Sequence, residues 1–298
     1  MRVFVTGATG FVGSAVVKEL IATGHSVLGM VRNDAGAQAL RAAGATVHSA
    51  TLEDFPALRA GAEQADAVIH TAFIHDFARF RENCAIDSAA IEAMGETLAG
   101  SSRPLIVSSG LGVRAEGRLP TEDDQPRPVS DSYPRVSEHT AAALAERGVH
   151  TIVVRLPQVH DTRRQGFVSY AVRFAREKGT SAYVGEGRNR WAAAHVSDVA
   201  RLYRLALEKN RAGARYHAVA EEGVPFREIA GIIGKKLAVP AISLTTNQSA
   251  EHFGWYAGFF AMDLVGSSSK TREELGWKPA GPTLLADLAN LELAPDGR

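Results

Sequence analysis

Eight residues near the start of the chain, Thr6-Gly7-Ala8-Thr9-Gly10-Phe11-Val12-Gly13, have the types and spacing to hold a diphosphate. The apolar run Val3-Phe4-Val5 precedes them, and a helical pattern with Val12, Val16 and Leu20 on one face follows. Between a strand and a helix, Gly7 permits a tight turn. Gly10 lets the backbone approach a pyrophosphate with no Cβ in the way, and Gly13 lets the helix pack close on the strand. The helix N-terminus then offers unpaired N–H groups and partial positive charge to the anion. A dinucleotide is the expected ligand, held by Gly7, Thr9, Gly10, Phe11, Val12 and Gly13.

The far end of that ligand meets Gly29-Met30-Val31-Arg32-Asn33, where the second strand ends. Proteins that hold NAD usually place an acid here, on the ribose hydroxyls. No carboxylate stands at Val31 or Arg32. Arg32 instead offers a planar, permanently charged fork suited to a 2′-phosphate. NADP(H) is therefore the expected cofactor, with NAD(H) the second choice. Ala72 and Phe73 follow the fourth strand and should lie along the pyrophosphate and ribose, since ligands bind at the carboxyl ends of parallel strands. His160, just past the sixth strand, is expected to face the substrate crevice, and His75 lies on the loop after the fourth. Histidine titrates near neutrality and is suited to moving a proton. Asp161-Thr162-Arg163-Arg164 adds two arginines beside His160, and Arg188-Asn189-Arg190-Trp191 suits a polar or anionic group. Other chemistries lack their patterns. No HExxH or CxxC spacing marks a metal site. Ser108-Ser109-Gly110 lacks the first glycine of a nucleophile elbow. The phosphate loop lacks GK[ST], which argues against ATP hydrolysis.

Composition agrees with a small-molecule site. The chain has 298 residues, with 33 basic and 33 acidic side chains that balance to zero. No basic surface for nucleic acid or membrane is implied. One cysteine, Cys84, excludes an internal disulfide and fits a reducing cytoplasm. The chain enters a strand at once, so no signal peptide is expected, and no apolar run reaches the roughly 18 residues of a membrane helix.

The elements that must position these residues alternate through the first half. Strands are expected at 26–31, 46–49, 67–71, 105–108 and 151–156. Helices are expected at 34–43 with Asp34 as cap, after the cap Asp54 with Leu58 inward, at 83–99 and at 140–147. The pattern implies an α/β fold, a Rossmann-type doubly wound parallel sheet with a smaller C-terminal substrate lobe. Later helices are expected at 166–178, at 199–209 with a Ser197-Asp198 cap, from Pro225 onward, over the aromatic stretch 253–260 and at 271–275. Later strands are expected at 216–219 and 241–244. The cofactor domain should comprise 1–157 plus about 192–218, and the lobe about 158–191 and 219–298.

The spacing TGxxGxxG resembles the extended and atypical short-chain dehydrogenase/reductase superfamily. Further landmarks follow in order: Val68-Ile69-His70-Thr71-Ala72, Leu105-Ile106-Val107-Ser108-Ser109, Val153-Val154-Arg155-Leu156-Pro157, His195-Val196-Ser197-Asp198-Val199-Ala200 and Glu274-Leu275-Gly276-Trp277-Lys278-Pro279. The resemblance covers nearly the whole chain. It implies that Thr51 and Leu52 lie beside the adenine and that Ser108 and Pro157 line the cofactor. Ser109 would hold a carbonyl, Tyr133 would pass it a proton, and a lysine four residues later would lower the phenol's pKa and hold the nicotinamide ribose. That lysine is missing. Four residues after Tyr133 stands Ser137, and the alternative register puts Pro134 at the tyrosine and Glu138 at the lysine. This loss resembles the atypical branch. Arg135 is a candidate to hold the ribose instead, and His160 to supply the proton. The implied activity is an NADP(H)-dependent oxidoreductase acting on a carbonyl or alcohol of a small organic molecule. The alternatives are an NADP-binding sensor or regulator without turnover, and an epimerase or dehydratase with a tightly held cofactor. A homodimer through two sheet-flanking helices is the family-level expectation.

Overall fold

The computed structural model describes residues 1–131 and 133–293. Strands and helices alternate as β1 (Arg2–Thr6), α1 (Phe11–Ala22), β2 (Ser26–Val31), α2 (Asp34–Ala42), β3 (Thr46–Ser49), α3 (Phe55–Glu63), β4 (Ala67–His70), α4 (Phe80–Leu98), β5 (Leu105–Gly110), α5 (Ser137–Glu146) and β6 (Thr151–Leu156). The chain continues as β7 (Gln158–His160), α6 (Val168–Lys178), β8 (Ser181–Val184), β9 (Arg190–His195), α7 (Val196–Lys209), β10 (Arg215–His217), β11 (Glu221–Pro225), α8 (Phe226–Leu237), β12 (Ala241–Leu244), α9 (Thr246–Phe253), α10 (Ala257–Phe260), α11 (Ser269–Leu275) and α12 (Leu284–Ala289).

Among the described residues, seven strands form one parallel sheet in the order β10-β6-β5-β4-β1-β2-β3. Both faces are covered, so β1 is buried from Val3 to Thr6 with alternating partners. Val3 and Val5 join the core beneath α1 and α7 with Val16, Leu20 and Leu202. Phe4 joins the opposite core with Leu58, Ile91 and Met94. The strand order reverses between β1 and β4, which opens a crevice at their carboxyl ends.

Pro157 separates β6 from β7, and the chain leaves the main sheet there. β7 pairs with β9, and β9 with β11, in a small second sheet. Of the stretch 192–218, α7 packs on α1 and β10 pairs with β6, whereas β9 belongs to the small sheet. A third core fills the lobe around Trp191, Phe226, Ile229, Phe253, Phe260 and Leu284. No described helix is long and apolar enough to cross a membrane.

Two helix caps differ from expectation. Asn33, not Asp34, caps α2: its backbone is extended at φ −154°, so Oδ1 accepts from Gly36 N at 2.9 Å. Because α7 already begins at Val196, His195 caps it, accepting from Ser197 N at 3.2 Å. Asp198 is freed for a tertiary role, accepting from Ala280 N at 3.0 Å and Gly281 N at 2.8 Å. Asp54 caps α3 as expected, accepting from Ala57 N at 3.1 Å, with Leu58 fully buried.

Candidate functional site

The glycine turn has the shape its residues imply. Gly7 adopts φ +66°, and a Cβ there would stand 2.7 Å from Ala72 N. Gly10 N donates to Gly7 O at 2.8 Å and closes the turn. A Cβ on Gly13 would run into the Gly7 carbonyl. A Cβ on Gly10 would meet only Gly7 O, at 3.1 Å, so its other side is open. No side chain caps α1, which leaves the amides of Phe11, Val12 and Gly13 directed outward at a half-exposed helix start. This is a cradle that fits a dinucleotide diphosphate.

Around the cradle, Thr9 is exposed, and its methyl would be 3.2 Å from a Cβ on Gly36 at the start of α2. Arg32 is exposed at the end of β2, with no carboxylate partner among the described residues. Thr51 is exposed just past β3, while Leu52 is buried in the core shared with Phe4. Ala72 abuts Gly7, and Phe73 follows it.

At the carboxyl end of β5 the two serines part company. The Ser108 hydroxyl is engaged on β4 and α7: it donates to His70 O at 2.6 Å and lies 2.6 Å from the Tyr203 hydroxyl. Successive residues of a strand face opposite sides. Ser109 faces the other way and has no side-chain hydrogen bond among the described residues. One residue on, Gly110 opens the lining of a cleft of about 640 Å³. Leu111, Gly112, Tyr133, Pro157, Gln158 and Trp191 also line it, and Phe77, Phe80, Phe167, Trp255 and Phe259 form an aromatic wall.

Tyr133 lies before α5 and reaches into this cleft. Its hydroxyl occupies the space that a Cβ on Gly112 would need. Burial raises its phenol pKa, while Arg135 and Arg127 pull it down without cancelling the rise. Neither register of the missing lysine supplies an ammonium. Ser137 donates to Asp87, and Glu138 forms a buried ion pair with Arg155 at 2.6 Å. Arg135 is the neighbouring cation, 4.0 Å above the Phe73 ring. Burial pushes the Asp87 carboxyl up, but Arg135, His70 and Ser137 outweigh that and hold it below its ordinary value.

His160 does not reach the cleft. Its ring is 0% exposed and bonds Asp287 Oδ2 through Nδ1 at 2.7 Å, with the His195 ring 5.9 Å away. Burial lowers its pKa. The reading of His160 as a crevice-facing proton source is corrected: its partner on α12 turns it into the lobe interior. His75 lies on the exposed loop after β4, with its ring 5.3 Å from that of Phe73. Arg190 pairs with Asp263 at 2.9 Å, and Arg163 with Glu292 at 2.9 Å. Among the described residues no cluster suits a metal ion.

Sequence reasoning missed the aromatic wall and Gly112. Gly110-Leu111-Gly112 carried a signal, a glycine pair directly after a strand whose second member admits a bulky neighbour.

A family model described as the NAD dependent epimerase/dehydratase family matches residues 3–220. The chain belongs to this family. The resemblance to extended short-chain dehydrogenases/reductases is thereby borne out, as is the parallel α/β fold. This epimerase/dehydratase family member is 48% identical to an uncharacterized protein of Schizosaccharomyces pombe, over 97% of the chain and 99% of the relative. It is 26% identical to a 4-hydroxy-2-methyl-3-oxo-4-farnesyl-3,4-dihydroquinoline-1-oxide ketoreductase of Stigmatella aurantiaca, over 85% of the chain and 80% of the relative. Its fold matches a dTDP-glucose 4,6-dehydratase of Streptomyces venezuelae solved with NAD, with a TM-score of 0.75 at 20% identity, covering 97% of this chain and 95% of that one. This family member carries the glycine cradle and has Ser137, not a lysine, four residues after Tyr133.

Proposed function

We propose that this family member is an NADP(H)-dependent oxidoreductase acting on a carbonyl or alcohol of a small, largely apolar molecule. The observation that carries the reading is the placement of the Tyr133 phenol in an aromatic-walled cleft beside the carboxyl end of β5. Bound across the cradle, the nicotinamide would supply or accept the hydride. Ser109 would donate its hydroxyl proton in a hydrogen bond to the substrate oxygen, and Tyr133 would pass a proton to or from it. The aromatic wall would exclude water and hold an apolar body. The exposed Arg32 supports NADP(H). The ketoreductase name of the Stigmatella relative supports reduction of a ring carbonyl over rearrangement of a sugar.

The test is oxidation of NADPH against a panel of ketones and aldehydes graded from small and polar to large and apolar. Turnover should be greatest among the apolar members and fall at least about a hundredfold in Tyr133→Phe, the scale of losing a positioned proton donor. Tight NADPH binding with no turnover of any member would overturn the reading. It would favour the second one, an NADP-binding sensor, which the absence of an ammonium at Ser137 and Glu138 supports.

A further inference from the structure

We propose that Arg135 is the positioning cation of this site, holding the nicotinamide ribose and Tyr133 together, and that a buried line of side chains running back to the glycine turn exists to fix it. The inference rests on the reading of Tyr133 as the proton-transferring group.

The line is continuous. Arg135 Nε donates to Ser137 Oγ at 2.8 Å, and Ser137 Oγ donates to Asp87 Oδ2 at 2.5 Å. His70 Nε2 lies 3.0 Å from Asp87 Oδ1, and His70 Nδ1 lies 2.8 Å from Thr6 Oγ1. Thr6 ends β1, immediately before Gly7, and also accepts from Ala72 N at 3.4 Å. The His70 ring bridges the Thr6 hydroxyl and the Asp87 carboxyl, one nitrogen to each. Asp87 is 1% exposed, and a buried carboxylate needs a countercharge. Arg135 provides it.

This arrangement uses only one of the guanidinium's donor nitrogens. Nη1 and Nη2 carry no hydrogen bond among the described residues and remain free as a fork. The guanidinium lies over Phe73, on the loop that touches the Gly7 turn, and its charge also reaches the Tyr133 phenol. Its charge acts on the group that moves the proton, and its two free nitrogens are the ones we assign to a ribose diol. The other charged or ionisable groups acting on Tyr133 are Arg127, whose guanidinium lies 5.0 Å over its ring, Glu138 and Cys84. Glu138, paired with Arg155, and Cys84, whose thiol burial raises to about 11, both act to raise the phenol, so Arg127 is the second cation that favours its ionised form, behind Arg135.

Two measurements test the assignment without requiring turnover. The first is a 19F NMR titration of cofactor-free protein carrying 3-fluorotyrosine, whose phenol ionises at lower pH than tyrosine. The Tyr133 resonance is assigned by its loss in Tyr133→Phe. Arg135→Met should raise its midpoint by about one pH unit or more, the scale of losing a nearby opposite charge. Arg135→Lys should keep it close to the parent value. The second is the NADPH dissociation constant from tryptophan fluorescence. It should weaken about tenfold in Arg135→Met, the scale of losing charge-assisted hydrogen bonds, and less in Arg135→Lys. If Arg135→Met does not fold, Ser137→Ala is the substitute: it loosens the guanidinium, keeps the charge, and should weaken NADPH several-fold. Parent-like values in both measurements overturn the proposal. A change in only one overturns the role belonging to the other. An inactive parent protein would sink the oxidoreductase reading and leave both measurements interpretable.

Discussion

Arg32 isolates the question of cofactor choice on one side chain. It is exposed, unpaired among the described residues, and placed where β2 ends beside the open side of the cradle. A 2′-phosphate gains a charge-assisted fork from it, whereas a bare ribose gains little. Arg32→Ala should lower the ratio of NADPH to NADH affinity by about tenfold, the scale of one such interaction, and Arg32→Glu should lower it further. Titrating both nucleotides against each variant checks this; a ratio unchanged in Arg32→Glu would remove Arg32 from the site. At this scale the cradle was legible because each glycine answers a local steric demand. The partition of Ser108 from Ser109 was less so, since a one-residue shift reverses the face a strand residue presents. His160 was misplaced because its partner, Asp287, lies 127 positions away in sequence. Local spacing carries no trace of such a contact.

Two short segments from opposite halves of the chain meet over the cleft. The 3-10 turn Phe77–Arg79 follows β4, and the 3-10 turn Gly254–Tyr256 follows α9. Phe77 stacks on Trp255 with ring centroids 5.3 Å apart and 26° between planes, although Trp255 is 59% exposed. A large aromatic left exposed beside an apolar cleft offers its area to whatever enters. Trp255→Ala should raise the KM for bulky apolar carbonyl compounds about tenfold, the scale of losing an aromatic contact with its buried area, while small carbonyl compounds and NADPH affinity change little. An equal loss across all substrates would mean that Trp255 supports the fold and not the choice of substrate. The parallel alternation from β1 to β6 was readable because strands buried on both faces are continuous apolar runs. The lobe was not. The stretch 253–260, read as one helix, breaks at Gly254, whose φ of +58° ends α9. β7, β8 and β11 are three to five residues long and take their pairing from strands elsewhere in the lobe.

Whole-molecule stability should depend on histidines that the fold buries in the neutral form. His217 Nδ1 donates to Ser267 O at 2.7 Å, and its Nε2 accepts from Arg155 at 3.0 Å. A proton on Nε2 would face the guanidinium that also binds Glu138, Thr121 O and Asp124 O, and so ties the loop before α5 to β6. Burial and that guanidinium lower the His217 pKa to about 4, and burial lowers that of His160 as well. The unfolded chain takes up these protons near the ordinary value of about 6.5. Between roughly 6.5 and 4 the unfolded state therefore binds more protons than the folded one, and stability falls as the pH falls. Below that window Asp87, held low in the folded protein, adds a further loss. The apparent Tm should be level from pH 8 to 7 and drop steadily from 6.5 to 4.5. His217→Gln, which keeps a donor and an acceptor but cannot be protonated in this range, should start from a lower Tm and show a shallower slope. An unaltered slope in that variant would move the acid sensitivity onto His160 and its carboxylate neighbours, a distinction that His160→Gln would then resolve.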